Sequence, residues 1–284
     1  MKYGVVMFPT DYSIEPVALA REVEARGFES LFFPEHTHIP ASRLTPWPGG
    51  ADLPKEYWHT YDPFLALTAA AMVTEKLMLG TGICLVTEHE PIALAKVIAS
   101  LDNISGGRFL FGVGAGWNVE EMANHGTDAD HRFGVMRERI QAMKRIWTEE
   151  AAEFHGKYVD FSPIWSYPKP VQQPHPPVLV GGSGKHTFKR VLDYGDGWMP
   201  IPGRFEKPLG EQIVELQEMA GEAGRARIPI TVYGTLPRPE VIQHYHDIGI
   251  DRCIFWLPSA GADETKSHLD RYASLMEEVA KAGA

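Results

Sequence analysis

Cysteine is scarce: Cys84 and Cys253 are the whole supply in 284 residues. Both sit inside apolar segments and neither has CxxC or CxxH spacing, which excludes a disulfide framework and a cysteine-built zinc site. Positive charge is also short. Lys and Arg number 27 against 37 Asp and Glu, a formal charge of −10, and without a basic run to neutralise phosphates a nucleic-acid partner is excluded. No apolar run approaches the roughly 18 to 20 residues that span a bilayer, so no membrane partner is expected. The opening MKYGVVMFPTDYS is broken by Pro9 and Asp11 and makes a poor signal peptide. The expectation is a cytoplasmic, soluble protein whose partner is a small molecule.

Apolar residues make up 44% of the chain and charged residues 23%, the balance of a globular protein with a full core. One joint recurs in ARGFESLFF (Ala25–Phe33), DYGDGWMPI (Asp193–Ile201) and DIGIDRCIF (Asp247–Phe255). In each, a helix ends on glycine, an acidic residue follows and an apolar run begins, as at a helix-to-strand connection. Strands are expected at Val5–Phe8, Ser30–Pro34, Leu77–Leu85, Arg108–Gly114, Val178–Val180, Gly197–Ile201, Pro229–Tyr233 and Cys253–Leu257. Most are apolar without alternation, the mark of parallel strands covered on both faces. Between them run single apolar stripes at helical spacing: Leu94, Val97, Ile98 and Leu101; Met136, Ile140, Met143 and Trp147; Leu269, Tyr272, Met276 and Val279. Eight such units predict a (β/α)8 TIM barrel as a single domain over 1–284. Two long connections, Thr37–Tyr61 after the second strand and Ala151–Gln173 after the fourth, are expected as insertions around the site mouth, with EFHGKYVDF a short hairpin.

A barrel of this kind carries its site at the C-terminal ends of its strands. The richest cluster there is Glu35-His36-Thr37-His38. An HxH can bind a metal, but the segments GGSG, PG and PSAG after later strands offer no further His, Asp or Glu, so no metal is expected. GVGAGW (Gly112–Trp117) lacks the spacing of a dinucleotide fingerprint. Its small residues, Gly114 among them, let a flat ring approach the strand ends, with Trp117 as one wall. Gly181-Gly182-Ser183-Gly184 lies between a strand and a helix that begins near His186. It reads as an anion site of backbone amides at a helix N-terminus, with a tight strand-to-helix turn as the other reading.

The chain resembles the bacterial luciferase-like monooxygenase superfamily, in its branch of F420-dependent oxidoreductases. The stretches that carry this are SLFFPEHTHIP, LGTGICLVTEHEPIALAKVIASLDNISGGRFLFGVGAGWNVEEM, RIQAMKRIWTEE, FHGKYVDF and PKPVQQPHPPVLVGGSGKHTFKRVLDYGDGWMP. The resemblance implies a (β/α)8 barrel holding a deazaflavin or flavin ring across the strand ends. It puts the phosphate in Gly181–Gly184, Arg108 of SGGRF as a second phosphate contact, and a non-prolyl cis peptide at Gly82–Ile83 beneath the ring. It also implies two catalytic residues, a histidine at His36, bonded to cofactor or to the reacting oxygen, and Glu35, where many relatives have aspartate. Trp117-Asn118 stand where some deazaflavin dehydrogenases place a catalytic glutamate, and Glu120 follows three residues later. Sugar-phosphate dehydrogenase chemistry is therefore not carried over.

The function expected is hydride transfer between coenzyme F420 and a small organic substrate, by a homodimer of such barrels. The alternatives are an FMN-dependent two-component monooxygenase on the same fold, a non-enzymatic flavin carrier and, last, a metal-dependent hydrolase. F420 has the longer, acidic tail, and basic residues at the rim, Lys169, Lys185 or Arg204, favour it. Trp47, Trp58, Tyr61 and Trp165 are candidates to line an aromatic substrate pocket.

Overall fold

The computed structural model describes residues 1–50, 52–203 and 207–282. Eight parallel strands form the wall: β1 (Lys2–Val6), β2 (Ser30–Phe33), β3 (Met78–Thr81), β4 (Phe109–Gly114), β5 (Val178–Gly181), β6 (Gly197–Met199), β7 (Thr231–Thr235) and β8 (Arg252–Trp256). They pair in the order β7-β8-β1-β2-β3-β4-β5-β6. The seam between β6 and β7 is drawn together by the Trp198–Ile230 bridge and by bonds from Trp198 N–H to the Pro229 carbonyl and from Tyr233 N–H to the Pro200 carbonyl, each 2.9 Å. The helices between are α1 (Pro16–Ala25), α2 (Pro63–Ala71), α3 (Pro91–Ile104), α4 (Arg132–Thr148), α5 (Lys185–Tyr194), α6 (Leu209–Glu222), α7 (Pro239–Asp247) and α8 (Ala262–Ala282). This is the (β/α)8 barrel that the strand pattern predicts. Among the described residues no helix is long and apolar enough to cross a membrane.

The unbroken apolar runs follow from burial on both faces. Val6, Phe32, Leu110, Leu179, Met199, Tyr233 and Ile254 fill the barrel, whereas Val5, Leu31, Phe109, Phe111, Val178 and Val180 face the helices. Successive side chains of one strand thus enter two different apolar layers. The α4 stripe of Met136, Ile140, Met143 and Trp147 is buried throughout, while in α3 Leu94, Ile98 and Leu101 are buried and Val97 is exposed. Helix starts are fixed locally. Asp62 accepts the Leu65 amide ahead of α2, Glu90 accepts those of Ile92 and Ala93 ahead of α3, and proline opens both helices.

Three expectations need correction. The run Leu77–Leu85 is not one strand: β3 ends at Thr81, a cis peptide joins Gly82 to Ile83, and Cys84–Leu85 then pairs separately with β4. Gly195 does not take the left-handed turn that Gly27 and Gly249 adopt; its φ is −89°, and a Cβ there would lie 2.7 Å from Val180, so close packing calls for glycine. Of the two insertions, only Thr37–Tyr61 leans over the mouth. The second forms the expected hairpin, Ala152–His155 against Asp160–Ile164, but it lies along the outer flank of α4, where the Glu138 carboxylate accepts the amides of Lys157, Tyr158 and Val159.

Candidate active site

The C-terminal mouth of the barrel holds a pocket of about 530 Å3. Every expected glycine-loop, ring and histidine position except Gly184 and Arg108 lines it: Glu35, His36, Gly82, Ile83, Gly114, Trp117, Gly181, Gly182 and Ser183. Gly184 lines a second cleft, of about 570 Å3, that meets the first at Ser183 and is also bordered by Lys185, His186 and Lys207.

The turn after β5 has the shape expected of an anion site. Gly182 and Gly184 have φ of 109° and 81°, which only glycine adopts without strain, and Gly184, at the N-cap of α5, has no side chain to cap the helix. The loop is pinned from beneath: the Trp198 indole donates to the Gly182 carbonyl and the Thr187 hydroxyl to the Ser183 carbonyl, both at 2.8 Å. Arg190, one helical turn beyond Thr187, lies over the Phe133 ring at 4.1 Å and donates from Nη2 to Thr187 Oγ1 at 3.0 Å. Its Nε is buried and has no partner among the described residues, so a cationic donor lies beside the glycine loop.

Arg190 takes the place in which Arg108 was expected. The Arg108 guanidinium lies at the opposite end of β4, where it donates to the carbonyls of Ser105, Ala71, Thr74 and Leu77 and to the Thr74 hydroxyl, at 2.7–3.0 Å. Satisfied there, it ties the start of β4 to the end of α2 and is not a phosphate ligand. The signal for Arg190 was present in the sequence: positions 187 and 190 are three apart on the helix that starts at the glycine loop, so they share a face.

The bed for a ring is formed by the cis Gly82–Ile83 peptide and by Gly114. A Cβ on Gly114 would lie 1.9 Å from Ile83 Cδ1, so the residue must be glycine for Ile83 to sit where it does. Around the rim, Tyr57 stands 4.6 Å from Phe8, 5.7 Å from Trp47 and 5.2 Å from His36, ring centre to ring centre. Trp47 thus lines the pocket as expected; Trp58, Tyr61 and Trp165 do not, and Trp165 is 81% exposed. Lys169 is also removed from the rim, its ammonium donating to the Ile146 and Glu149 carbonyls. Arg204 lies outside the described residues.

His36 is buried between Trp117 and Glu121. The Trp117 indole can only donate, so His36 Nε2 accepts from it at 3.3 Å and the ring proton sits on Nδ1, 2.8 Å from Glu121 Oε2. Glu121 was not anticipated. It stands on the short helix Val119–Asn124 that the β4 loop carries, started by the Asn118 side chain accepting the Glu121 amide. Glu120, its neighbour, points outward to Thr45.

Glu35 departs from the direct catalytic role expected of it. Both carboxylate oxygens are taken within the protein, Oε2 by the Leu85 amide at 2.6 Å and Oε1 by His89 Nε2 at 2.8 Å. It anchors the segment beyond Ile83 and so positions the ring bed. Burial alone would raise the Glu35 carboxyl; the bond and charge of His89, with the Leu85 amide, outweigh it and hold the carboxyl below its ordinary value. Burial would likewise lower His89, and Glu35 outweighs it to raise the imidazole. Glu35, Cys84 and His89 bring one potential ligand atom each within 4.8 Å of one another. Burial, then the Glu35 charge, pushes the Cys84 thiol well up, so the three are a hydrogen-bonded cluster with the thiol protonated. His38 turns away from His36 to Thr37 and Asn124.

Residues 11–237 match the family model described as luciferase-like monooxygenase, and the chain belongs to that family. The uncharacterised protein Rv0953c of Mycobacterium tuberculosis is 40% identical over 279 residues, 96% of this chain and 98% of its own. An F420-dependent glucose-6-phosphate dehydrogenase of Microbacterium testaceum is 27% identical over 250 residues, 86% of this chain and 68% of its own. Among solved structures, the monooxygenase RslO1 of Streptomyces bottropensis superposes with a TM-score of 0.79 at 22% identity, covering 98% of this chain and 99% of its own. The chain is thus related to F420- and flavin-dependent oxidoreductases.

Proposed function

We propose that the protein is an F420-dependent oxidoreductase acting on a small, neutral alcohol or carbonyl compound. The observation that carries the choice of cofactor is the second cleft. Beyond Ser183 the site continues past the glycine loop into a space bordered by Lys185, His186 and Lys207, with Lys207 paired to Glu215 of the same cleft at 2.9 Å. FMN ends at its phosphate and would leave that cleft empty, whereas the acidic tail of F420 meets basic groups there. The residues present fit such a cofactor: an orphaned Arg190 Nε, uncapped α5 amides, and glycines where a Cβ would strike the ring bed.

The bound deazaflavin supplies a hydride donor or acceptor. The chain's own work is positioning and proton handling. Ile83 would support the ring, Trp47 and Tyr57 would keep water from it, and Arg190 with the α5 amides would hold the phosphate. His36 offers its Nε2 lone pair to the substrate hydroxyl once the Trp117 indole yields it, and Glu121 steadies the imidazolium that results. The aromatic lining suits an apolar body next to the reacting oxygen. Leu65 and Met72 beside α2, 74% and 72% exposed, together with Val97 and Ile104 of α3, favour a homodimer joined through these two helices.

Titration of the protein with F420 and with FMN, followed by quenching of tryptophan fluorescence, tests the cofactor. Tight F420 binding that Lys185→Glu weakens, with FMN affinity little changed by that substitution, is the expected outcome. Tight FMN binding with no response to F420 overturns it in favour of the flavin monooxygenase reading.

A further inference from the structure

Behind His36 the Glu121 carboxylate faces a second carboxyl group, Glu88, on the turn Val86–Glu88 that follows the ring bed. Both side chains are 1% exposed. Glu121 Oε1 and Glu88 Oε2 are buried oxygens without a donor. Glu121 Oε2 takes the His36 Nδ1 proton, but Glu121 Oε1 and Glu88 Oε2 find no donor among the described residues, and two neighbouring buried carboxyls so placed are stable only with a proton between them. On its other side Glu88 borders a cleft of about 390 Å3 on the outer flank, formed with His89, His125, Arg139 and the hairpin residue Tyr158. His125 Nε2 is 3.8 Å from Glu88 Oε2, a spacing that one water or a small shift bridges.

We propose that Glu121 and Glu88 share one proton and form a relay that carries protons between His36 and this flank cleft, a back entrance used when cofactor and substrate close the mouth. The inference rests on the reading of His36 as the group that exchanges a proton with substrate. When His36 Nε2 gains the substrate hydroxyl proton, its Nδ1 proton passes to Glu121 Oε2, and a proton leaves Glu88 Oε2 for His125 or water. One proton enters and one leaves, and the carboxyl pair keeps its single proton.

The groups that face Glu88 agree with this. Glu121 from the Val119–Asn124 helix and Glu35 from the β2 end are anionic neighbours, and burial together with these charges holds the Glu88 proton on up to about pH 9. His125 is lowered by burial and by His38; its Nε2 is bonded to Thr37 Oγ1 at 2.7 Å, so it accepts a proton from Glu88 only when that hydroxyl yields the nitrogen. Arg139 of α4 donates to the Val86 carbonyl, and His89 is engaged by Glu35. Glu88 and Glu121 therefore act through His36 as positioning and relay residues.

The test uses the cofactor-free protein. Infrared spectra with 13C-labelled glutamate should show a protonated carboxyl group near neutral pH that ionises at about pH 9 and is absent in Glu88→Gln. Glu121→Gln, which removes the neighbouring charge, should let Glu88 ionise at a lower pH than in the unaltered protein, with burial still holding it above its ordinary value; it is the second variant if Glu88→Gln does not fold. By NMR, exchange of the His36 Nδ1 proton with solvent should slow about tenfold or more in Glu88→Gln. A protein with no protonated carboxyl near neutral pH, or with Nδ1 exchange unchanged by Glu88→Gln, overturns the relay. If the band and the exchange difference are found but neither cofactor binds, the relay stands and the redox reading fails. If F420 is turned over while Nδ1 exchange ignores Glu88, the relay alone fails.

Discussion

The Tyr233 hydroxyl on β7 donates to the Gly82 carbonyl, 151 residues away on the far wall of the barrel, at 2.6 Å. This bond crosses the mouth beneath the ring bed, and its burial pushes the Tyr233 phenol well up, so it remains a donor at every working pH. Tyr233→Phe leaves the Gly82 carbonyl without that donor. The expected cost is about 1–3 kcal/mol of folding stability, read as a lower denaturant midpoint, with weaker cofactor binding.

Arg190 and Arg108 should separate cleanly. If Arg190 meets the cofactor phosphate as proposed, Arg190→Gln removes that charge and cofactor affinity should fall by about ten- to a hundredfold, the worth of a hydrogen bond to a charged group. Equilibrium titration measures it.

Arg108→Met should do the reverse. Four carbonyls and a hydroxyl lose their cation, and stability should drop by about 2–4 kcal/mol in urea unfolding, while cofactor affinity per folded molecule stays unchanged.

His36→Asn keeps a polar side chain but no titratable nitrogen. Turnover should fall by about a hundredfold or more, with cofactor affinity retained, because the loss is in proton transfer. Single-turnover kinetics separate the two.

Glu88 makes stability depend on pH. Its carboxyl is raised from 4.5 to about 9 on folding, so between those values the folded chain holds a proton that the unfolded chain has released. The stabilisation is complete below 4.5 and is lost as pH rises toward 9. Glu88→Gln should therefore flatten the pH dependence of stability in that window by up to about 1.4 kcal/mol per pH unit, as melting curves in a buffer series would record.

The barrel was legible because parallel strands buried on both faces leave long apolar runs, and each helix-to-strand joint leaves a glycine and an acid. The left-handed glycine turn that starts α5 was legible in Gly181-Gly182-Ser183-Gly184. What escaped was set by distance in sequence. Arg108 looked like a phosphate ligand because nothing in SGGRF tells which end of a strand its guanidinium will reach. Glu121 and Glu88 are 33 and more residues from each other and from His36, and only closure of the barrel brings the three together. Glu35 read as catalytic from its place beside His36, although successive residues of an extended segment point to opposite sides.

The central claim is hydride transfer to or from F420 with His36 taking the proton, and it is tested most directly by mixing protein, oxidised F420 and a panel of small secondary alcohols without oxygen. The expected result is bleaching of the deazaflavin absorbance by one or more alcohols, reversed by the matching ketone and nearly abolished in His36→Asn. No bleaching with any alcohol or carbonyl partner, together with substrate-dependent oxygen uptake by the protein supplied with reduced FMN, contradicts it.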